Sequence, residues 1–170
     1  MRLRLMARTA VIGGLAVASI LTPLAAGAAS DMKADRRGDG MSGVDFRTLR
    51  IDNGTERATM ALTVADLPKS GVVFLSFVDP YDGEYGGGVQ VRRAKGVVTV
   101  RFYDETYEGM KTVPCPGTRG TWSTERNRVT ATFAWSCSKY GPYDSNHFYA
   151  QWGRVYDRSD HFGSLEVARG

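Results

Sequence analysis

The chain has 170 residues, of which 42% are hydrophobic and 24% are charged, and its formal net charge is +4. This length fits one domain with a single buried core. The basic excess lies in the first 29 residues, because without Arg2, Arg4 and Arg8 the 22 basic residues fall to 19, against 18 acidic ones. The remaining net charge of +1 gives no electrostatic reason for a nucleic-acid partner, and we expect none.

Residues 1–29 have the three parts of a secretory signal peptide. The arginines precede an apolar, alanine-rich stretch from Val11 to Ala26, and small residues after it supply a cleavage site. The alternative is a retained membrane anchor, but Gly13, Gly14 and Pro23 interrupt the apolar stretch. The sequence therefore predicts a secreted, extracellular protein with no membrane partner once the signal peptide is removed.

Residues 30–43 are polar and charged and contain almost no apolar side chain. Such a segment cannot bury enough apolar surface to offset the entropy lost on ordering, so we expect a disordered linker. The folded domain should then occupy residues 44–170, and we expect it to act as a monomer.

Cys115 and Cys137 are the two cysteines of the chain. An even number of cysteines in an exported protein is typical of a disulfide, so we expect the two to be paired. Two free buried thiols are the alternative. A thioredoxin-type redox role would need a Cys-x-x-Cys motif, and a zinc site would need histidines at ligand spacing from the cysteines, and the sequence has neither.

Period-two alternation of apolar and polar residues dominates from Val44 onward and indicates β-strands. Asn53 and Gly54 predict a type I′ hairpin turn, because both residue types tolerate a positive φ. The return strand should direct four apolar side chains toward the core: Ala58, Met60, Leu62 and Val64.

A continuous apolar run at residues 71–78 predicts a strand that is buried on both faces. Further short strands are expected around Cys115 and Trp122, and Trp135 and Cys137 should point to the core from one strand. Roughly nine or ten short strands, with turns at intervals of about 8–12 residues, predict an all-β fold, an antiparallel β-sandwich. A barrel is the alternative.

The loop after the apolar run combines carboxylates with turn residues. Asp79, Asp82 and Glu84 could offer three oxygens to calcium, which prefers oxygen ligands. The alternative, which we favour, is a hairpin turn at Asp82 and Gly83 with solvated carboxylates, because the sequence lacks an EF-hand pattern. We therefore expect no cofactor, with calcium as the competing hypothesis.

Tyrosines recur in three loops, at residues 79–85, 104–108 and 140–144. Exposed aromatic rings beside carboxylates can hold sugar rings by stacking and hydrogen bonding, so these loops predict a binding site if they meet at one end of the sandwich. The alternative is that the tyrosines are structural and that the tryptophans fill the core. The candidate ligand-binding residues are Tyr81, Asp82, Glu84, Tyr85, Tyr107 and Tyr143.

The sequence carries no strong catalytic motif. Glycoside hydrolysis needs two carboxylates facing each other across a cleft, and no spacing among the loop carboxylates singles out a pair. A Gly-x-Ser-x-Gly nucleophile motif is absent, and both cysteines should be oxidised. We therefore expect a protein without enzymatic activity, with a small carboxylate-dependent hydrolase as an alternative.

Several features recur together along residues 44–137: Asp45-Phe46 with Leu49 and Ile51, a strand ending in Asp66-Leu67, the stretch Phe77-Val78-Asp79-Pro80, and the two later cysteines. In these features the chain resembles a recurring secreted actinobacterial domain of unknown function. The resemblance implies a sandwich similar to the DOMON and family-nine carbohydrate-binding modules, and hence ligand binding. The Met and His haem ligands of cytochrome-type DOMON members have no counterpart here, so haem is not implied.

Together these features predict a secreted, non-catalytic binding module whose partner is a polysaccharide or another cell-envelope polymer. A protein-interaction or protease-inhibitor domain is the second hypothesis, since an exposed loop such as residues 138–146 could insert into a partner.

Overall fold

The structure is a computed structural model, and it describes residues 29–34, 44–81, 85–153 and 161–170. Nearly all of the predicted signal peptide, most of the predicted linker, and the candidates Asp82 and Glu84 lie outside these ranges. In the part of the chain that the structure describes, no helix has the length and apolar character needed to cross a bilayer.

The described residues form eleven strands and one short 3₁₀ helix. The first six strands are β1 (Ala29–Ala34), β2 (Phe46–Asn53), β3 (Arg57–Val64), β4 (Gly71–Val78), β5 (Gly86–Ala94) and β6 (Val97–Thr106). The next three are β7 (Gly109–Thr112), β8 (Arg119–Ser123) and β9 (Arg128–Ala134). The 3₁₀ helix (Trp135–Cys137) follows, and then β10 (Ser145–Trp152) and β11 (His161–Ala168).

The strands build two antiparallel sheets, which confirms the predicted all-β class and sandwich architecture. The five-stranded sheet has the order β1-β2-β3-β9-β8, and the six-stranded sheet has the order β11-β10-β4-β5-β6-β7. β4 pairs with β5 on one side and with β10 on the other, so the continuous apolar run occupies a central position in its sheet.

The core lies between the two sheets. The predicted inward residues of β3 are all buried, as are Val73, Leu75 and Phe77 on β4. Phe74 and Ser76 are also buried, although they alternate with the core residues and therefore face away from the opposite sheet. The prediction that this strand is buried on both faces is confirmed.

An aromatic cluster fills one end of the core. The ring of Phe77 stacks on Phe133 with centroids 5.4 Å apart, and the Trp135 ring packs edge-on against both, at 4.9 and 5.0 Å. Phe102 and Phe148 extend the cluster toward the flanking strands. Because these rings come from both sheets, their packing fixes the sheets relative to each other.

The disulfide joins two connections that pass from one sheet to the other. Cys115 lies between β7 and β8, and Cys137 lies between β9 and β10, with a Cα–Cα distance of 5.3 Å. The predicted pairing is therefore confirmed. Closing this loop restricts the unfolded chain, and it also holds the two sheet-changing segments together.

The hairpin between β2 and β3 forms, but the predicted type I′ turn at Asn53-Gly54 is wrong. Neither residue has a positive φ, and Asn53 pairs with Ala58 as part of the strand. The Asn53 side chain is fully buried and donates hydrogen bonds to the carbonyl oxygens of Val167 and Ala168. It is retained in the strand because it satisfies two main-chain acceptors of β11.

The last residue of the predicted signal peptide and the first five residues of the predicted linker form an edge strand. Ala29–Ala34 pairs with β2 over its whole length, although five of its six residues are exposed. A sequence low in apolar residues can still add an edge strand, because main-chain hydrogen bonds to β2 do not depend on side chains. The remainder of the linker, residues 35–43, lies outside the described residues.

Two other strand boundaries also differ from the prediction. The short strand expected around Cys115 ends earlier, at Thr112, because Pro114 and Pro116 have no N–H to donate to a ladder. The alternation of β9 stops at Ala134, and Cys137 lies in the 3₁₀ helix, where strand parity does not apply. Cys137 still packs against the core.

Gly86 and Gly88 of β5 lie on the outer face of the six-stranded sheet, whereas Gly87 faces the core next to Phe77. The missing side chain at Gly88 lets Tyr103 lie across this outer face. Gly88 separates Ser76 on β4 from Tyr103 on β6, and the Tyr103 and Ser76 hydroxyls share a hydrogen bond over it. From the other side, Tyr149 on β10 donates to Glu105 Oε2 at 2.9 Å. Burial raises the pKa of Tyr103 well above its usual value, and the nearby Tyr149 adds to this effect.

Removing the disulfide should lower stability without changing the fold. The link closes a loop across a sequence separation of 22 residues, for which the chain-entropy model gives about 3 kcal/mol. We expect Cys115→Ala/Cys137→Ala to lower the free energy of unfolding by about that amount in urea titrations. Adding a reductant should destabilise the wild type and leave the double variant unchanged; equal responses would contradict this assignment.

Gly88→Ala should destabilise the protein. A Cβ at this position would lie 2.3 Å from the Leu75 carbonyl oxygen and 2.7 Å from the Ser76 Cα, both of which are backbone atoms. We expect a loss of about 1–3 kcal/mol in the free energy of unfolding. Gly96→Asn is the control, since a Cβ there meets nothing within 4 Å and Asn tolerates the φ of 79°. A similar loss in both variants would contradict the close-approach explanation.

Candidate functional site

Four connections lie at one end of the sandwich, which we call the loop end. They are the β2–β3 turn at residues 54–56, the described part of the β4–β5 loop at 79–81 and 85, the β6–β7 turn at 107–108 and the β9–β10 connection at 135–144. The strand pairing places them together, because His147 near the start of β10 pairs with Val78 at the end of β4. In the same way, Gly86 pairs with Glu105 near the end of β6. The three tyrosine-bearing loops therefore meet, as the site hypothesis requires.

Three tyrosines from these loops are in contact at the loop end, and we call them the tyrosine cluster. Tyr85 stacks on Tyr140 with ring centroids 5.1 Å apart and an interplanar angle of 27°. Tyr107 approaches the same Tyr85 ring edge-on at 6.4 Å. Tyr107 is 74% exposed, whereas Tyr85 and Tyr140 are partly buried. The cluster thus presents one open ring supported by two anchored ones.

The other sequence-predicted residues are placed around this cluster in different ways. Tyr81 is 89% exposed, and its main-chain N–H donates to Asp79 Oδ1 at 2.7 Å. Tyr143 is partly buried. The structure therefore brings together Tyr85 and Tyr107 from the predicted set, while the contacts of Asp82 and Glu84 lie outside the described residues.

A groove lies beside the tyrosine cluster, between β7 and the β9–β10 connection. It has a volume of about 320 Å³. Its lining combines the Tyr140 ring with Asp104, Lys111 and Lys139. With Glu108 also in the lining, the charged side chains outnumber the apolar ones, so the groove suits a polar ligand better than an apolar small molecule.

Asp104 anchors the segment that carries Tyr140. The Tyr140 main-chain N–H donates to Ser138 Oγ at 3.0 Å, and Ser138 Oγ donates in turn to Asp104 Oδ1 at 3.3 Å. Burial raises the pKa of the Asp104 carboxyl, and the raise is offset in part by hydrogen bonds from Ser138 and the Lys139 main chain and by the Lys139 charge. Asp104 is therefore a positioning residue that connects β6 to the loop.

Trp135 anchors the same β9–β10 connection from the core side. Its indole N–H donates to the Gly54 carbonyl oxygen at 3.0 Å, and its main-chain N–H donates to the Glu56 carbonyl oxygen at 2.9 Å. A Cβ on Gly141 would lie 3.2 Å from the Trp135 ring, so the loop passes close over the indole. The prediction that Trp135 belongs to the core is confirmed.

The site residues predicted from the sequence do not include Tyr140, which stacks at the centre of the cluster. The available signal was its place in the same loop as Tyr143. The set also omitted Asp104 and Ser138, because a hydrogen bond between residues 34 positions apart leaves no local pattern in a sequence.

Within the described ranges, no group of three or more His, Cys, Asp or Glu residues is placed to hold a metal ion. Asp79 accepts a local main-chain hydrogen bond, as is typical of an Asx-turn. With Asp82 and Glu84 outside those ranges, the calcium hypothesis remains a prediction.

Comparison with protein-family models found no matching family, and a search of curated proteins found no matching relative.

The protonation of Asp104 should make stability depend on pH in a defined direction. Because its pKa is raised in the folded state, folding favours the protonated carboxyl, so its contribution to stability is full below the ordinary Asp value of about 3.9 and is lost as the pH rises through the folded-state pKa. Relative to Asp104→Asn, the wild type should therefore gain stability as the pH falls through that range, measured by urea unfolding at a series of pH values.

Ser138→Ala tests the same group. It removes a donor that lowers the pKa of Asp104, so this pKa should rise further. The pH range over which the stability changes should then move to higher pH. A stability difference between wild type and Asp104→Asn that stays flat or falls on acidification would contradict the assignment.

Proposed function

We propose that the protein is a secreted, non-catalytic binding module and that its loop end holds a glycan or another cell-envelope polymer. The observation that carries this proposal is the tyrosine cluster, in which the exposed Tyr107 ring rests against Tyr85. Exported proteins are where disulfides persist, so the Cys115–Cys137 link supports an oxidising compartment. The proposal also agrees with the ligand-binding role that the resemblance to DOMON and family-nine carbohydrate-binding sandwiches implies.

The geometry of the tyrosines suits a sugar ring. The flat face of a pyranose presents C–H groups to an aromatic ring, and a tyrosine hydroxyl can form hydrogen bonds at the rim. Tyr85 is held by Tyr140, so the cluster loses little side-chain freedom when a ligand is bound. The adjoining groove offers Lys139 and Lys111 to the hydroxyl or carboxylate groups of a saccharide.

The carboxylates of β6 favour binding over hydrolysis. Asp104 and Glu105 are neighbours in the strand, and their side chains form hydrogen bonds in opposite directions, Asp104 with Ser138 in the β9–β10 connection and Glu105 with Tyr149 on the outer face. A glycosidase needs two carboxyl groups directed at the same bond. This pair therefore does not supply an acid and a base to one substrate.

Retention on insoluble polymers tests the proposal. The protein should be retained on at least one of purified cell walls, chitin and cellulose, and Tyr107→Ala should weaken retention about tenfold, as expected for an exposed aromatic contact worth about 1.4 kcal/mol. Because Tyr107 is exposed, the free energy of unfolding should change by less than about 0.5 kcal/mol.

Val97→Ala is the matched control, because it also shortens an exposed apolar side chain but lies in the β5–β6 hairpin at the opposite end. It should leave retention unchanged. Absence of retention on every polymer, or equal retention by wild type and Tyr107→Ala, would sink the proposal. Saturable inhibition of a secreted protease without retention would support the inhibitor hypothesis instead.

A further inference from the structure

The hairpin between β5 and β6 projects from the end of the sandwich opposite the tyrosine cluster. Lys95 and Gly96 have φ values of 50° and 79°, the left-handed pair that closes a two-residue type I′ turn. β4 begins opposite Arg93, so residues 94–97 extend past the neighbouring strand. A Cβ on Gly96 would meet no atom within 4 Å, which shows that the turn is surrounded by open space.

The tip of this hairpin exposes two apolar side chains. Val97 is 63% exposed and Val98 is 36% exposed. Val97 pairs with Ala94, and Val98 pairs with Arg93 across the hairpin. Val100, two residues closer to the body of the domain, packs against the core. Val97 therefore lies in the part of the hairpin that extends past β4, and Val98 lies level with the first residue of β4.

The same hairpin is basic and carries no carboxylate. Residues 92–101, which we call the basic hairpin, contain four cationic side chains and neither Asp nor Glu. None of the four forms an ion pair with a described carboxylate. The adjacent connections carry Lys69 and Arg126 against Asp66 and Glu125, so they do not cancel this charge. The four cations are Arg92, Arg93, Lys95 and Arg101.

We propose that the basic hairpin docks on an anionic lipid membrane. Cationic side chains near a bilayer are attracted to anionic headgroups, and apolar side chains between them enter the boundary between headgroups and acyl chains. A soluble polyanion would engage the arginines and the lysine and leave both valines in water. The combination of exposed valines with cations that pair with no described carboxylate therefore favours a lipid surface.

This surface is independent of the proposed polymer site. The basic hairpin and the tyrosine cluster lie at opposite ends of β5 and β6, so a membrane and a polymer could be bound at the same time. The inference departs from the sequence-based expectation of no membrane partner after export. It would place the domain on the external face of a cell membrane, with the loop end directed away from the bilayer.

An environment-sensitive fluorophore on the full chain tests the contact directly. Both native cysteines are in the disulfide, so Val97→Cys offers one free thiol for labelling. We expect a blue shift when vesicles containing one-third phosphatidylglycerol are added, and none with vesicles of phosphatidylcholine alone. The same label at Tyr107→Cys, at the opposite end, should not shift.

The absence of a shift at position 97 would overturn the proposal. An equal shift at positions 97 and 107 would also overturn it, because the membrane contact would then lie elsewhere in the chain, such as in residues 1–28. The Tyr107→Ala variant should bind vesicles as the wild type does, so a failed polymer assay and a failed membrane assay remain distinguishable.

Charge and apolar variants separate a membrane from a polyanion. Arg92→Gln and Lys95→Gln should each weaken vesicle binding roughly fivefold, and added salt should weaken wild-type binding. Val97→Ser should weaken vesicle binding and leave binding to heparin unchanged. If Val97→Ser leaves both unchanged, the surface is a general polyanion site and the membrane proposal is wrong. Unchanged urea unfolding curves would show that these variants still fold.

Discussion

The packing of Trp135 between the two sheets is the interaction on which the loop end depends. Its ring touches Phe77 from the six-stranded sheet and Phe133 from the five-stranded sheet, and its indole N–H holds the β2–β3 turn through Gly54. The β9–β10 connection, which begins at this residue, carries the chain from the five-stranded to the six-stranded sheet. The disulfide at Cys137 links it to the β7–β8 connection, which also passes between the sheets. The position of the β9–β10 connection, and with it Tyr140, follows from this packing.

The tyrosines fall into two groups, one covered on the outer face of the six-stranded sheet and one at the loop end. On the outer face of the six-stranded sheet, Gly88 leaves a space that Tyr103 fills, so that aromatic surface is consumed within the fold. At the loop end, Tyr85 and Tyr140 stack on each other, whereas the Tyr107 ring contacts Tyr85 edge-on and stays exposed. A count of tyrosines would not distinguish the two groups, because strand register decides which rings are covered.

The proposed roles place different chemistry at the two ends of the same strands. One end of β6 leads to the tyrosine cluster and the groove beside Lys139. The other end begins at the exposed Val97 in a turn without carboxylates. An antiparallel sandwich produces this polarity simply, because its hairpin loops alternate between two ends while the core between them stays rigid.

The amino-acid sequence by itself determined most of the strands, the fold class and the disulfide, because these depend mainly on local alternation and on the pairing of two cysteines. The inward residues of β3 and the doubly buried β4 followed from side-chain period alone. Asn53 could not be placed in this way, since its strand position is stabilised by carbonyl oxygens of β11, more than a hundred residues away.

Ala29–Ala34 shows the same limit from the opposite direction, because main-chain pairing with β2 gives it a strand that its own composition does not predict. The candidate site was likewise only partly predictable from the sequence. Sequence indicated which loops carry tyrosines, while only the tertiary structure selected Tyr85, Tyr107 and Tyr140 as a cluster and made Asp104 its support. Contacts between residues far apart in the chain are set by sheet order and crossover geometry, and neither leaves a local pattern in the sequence.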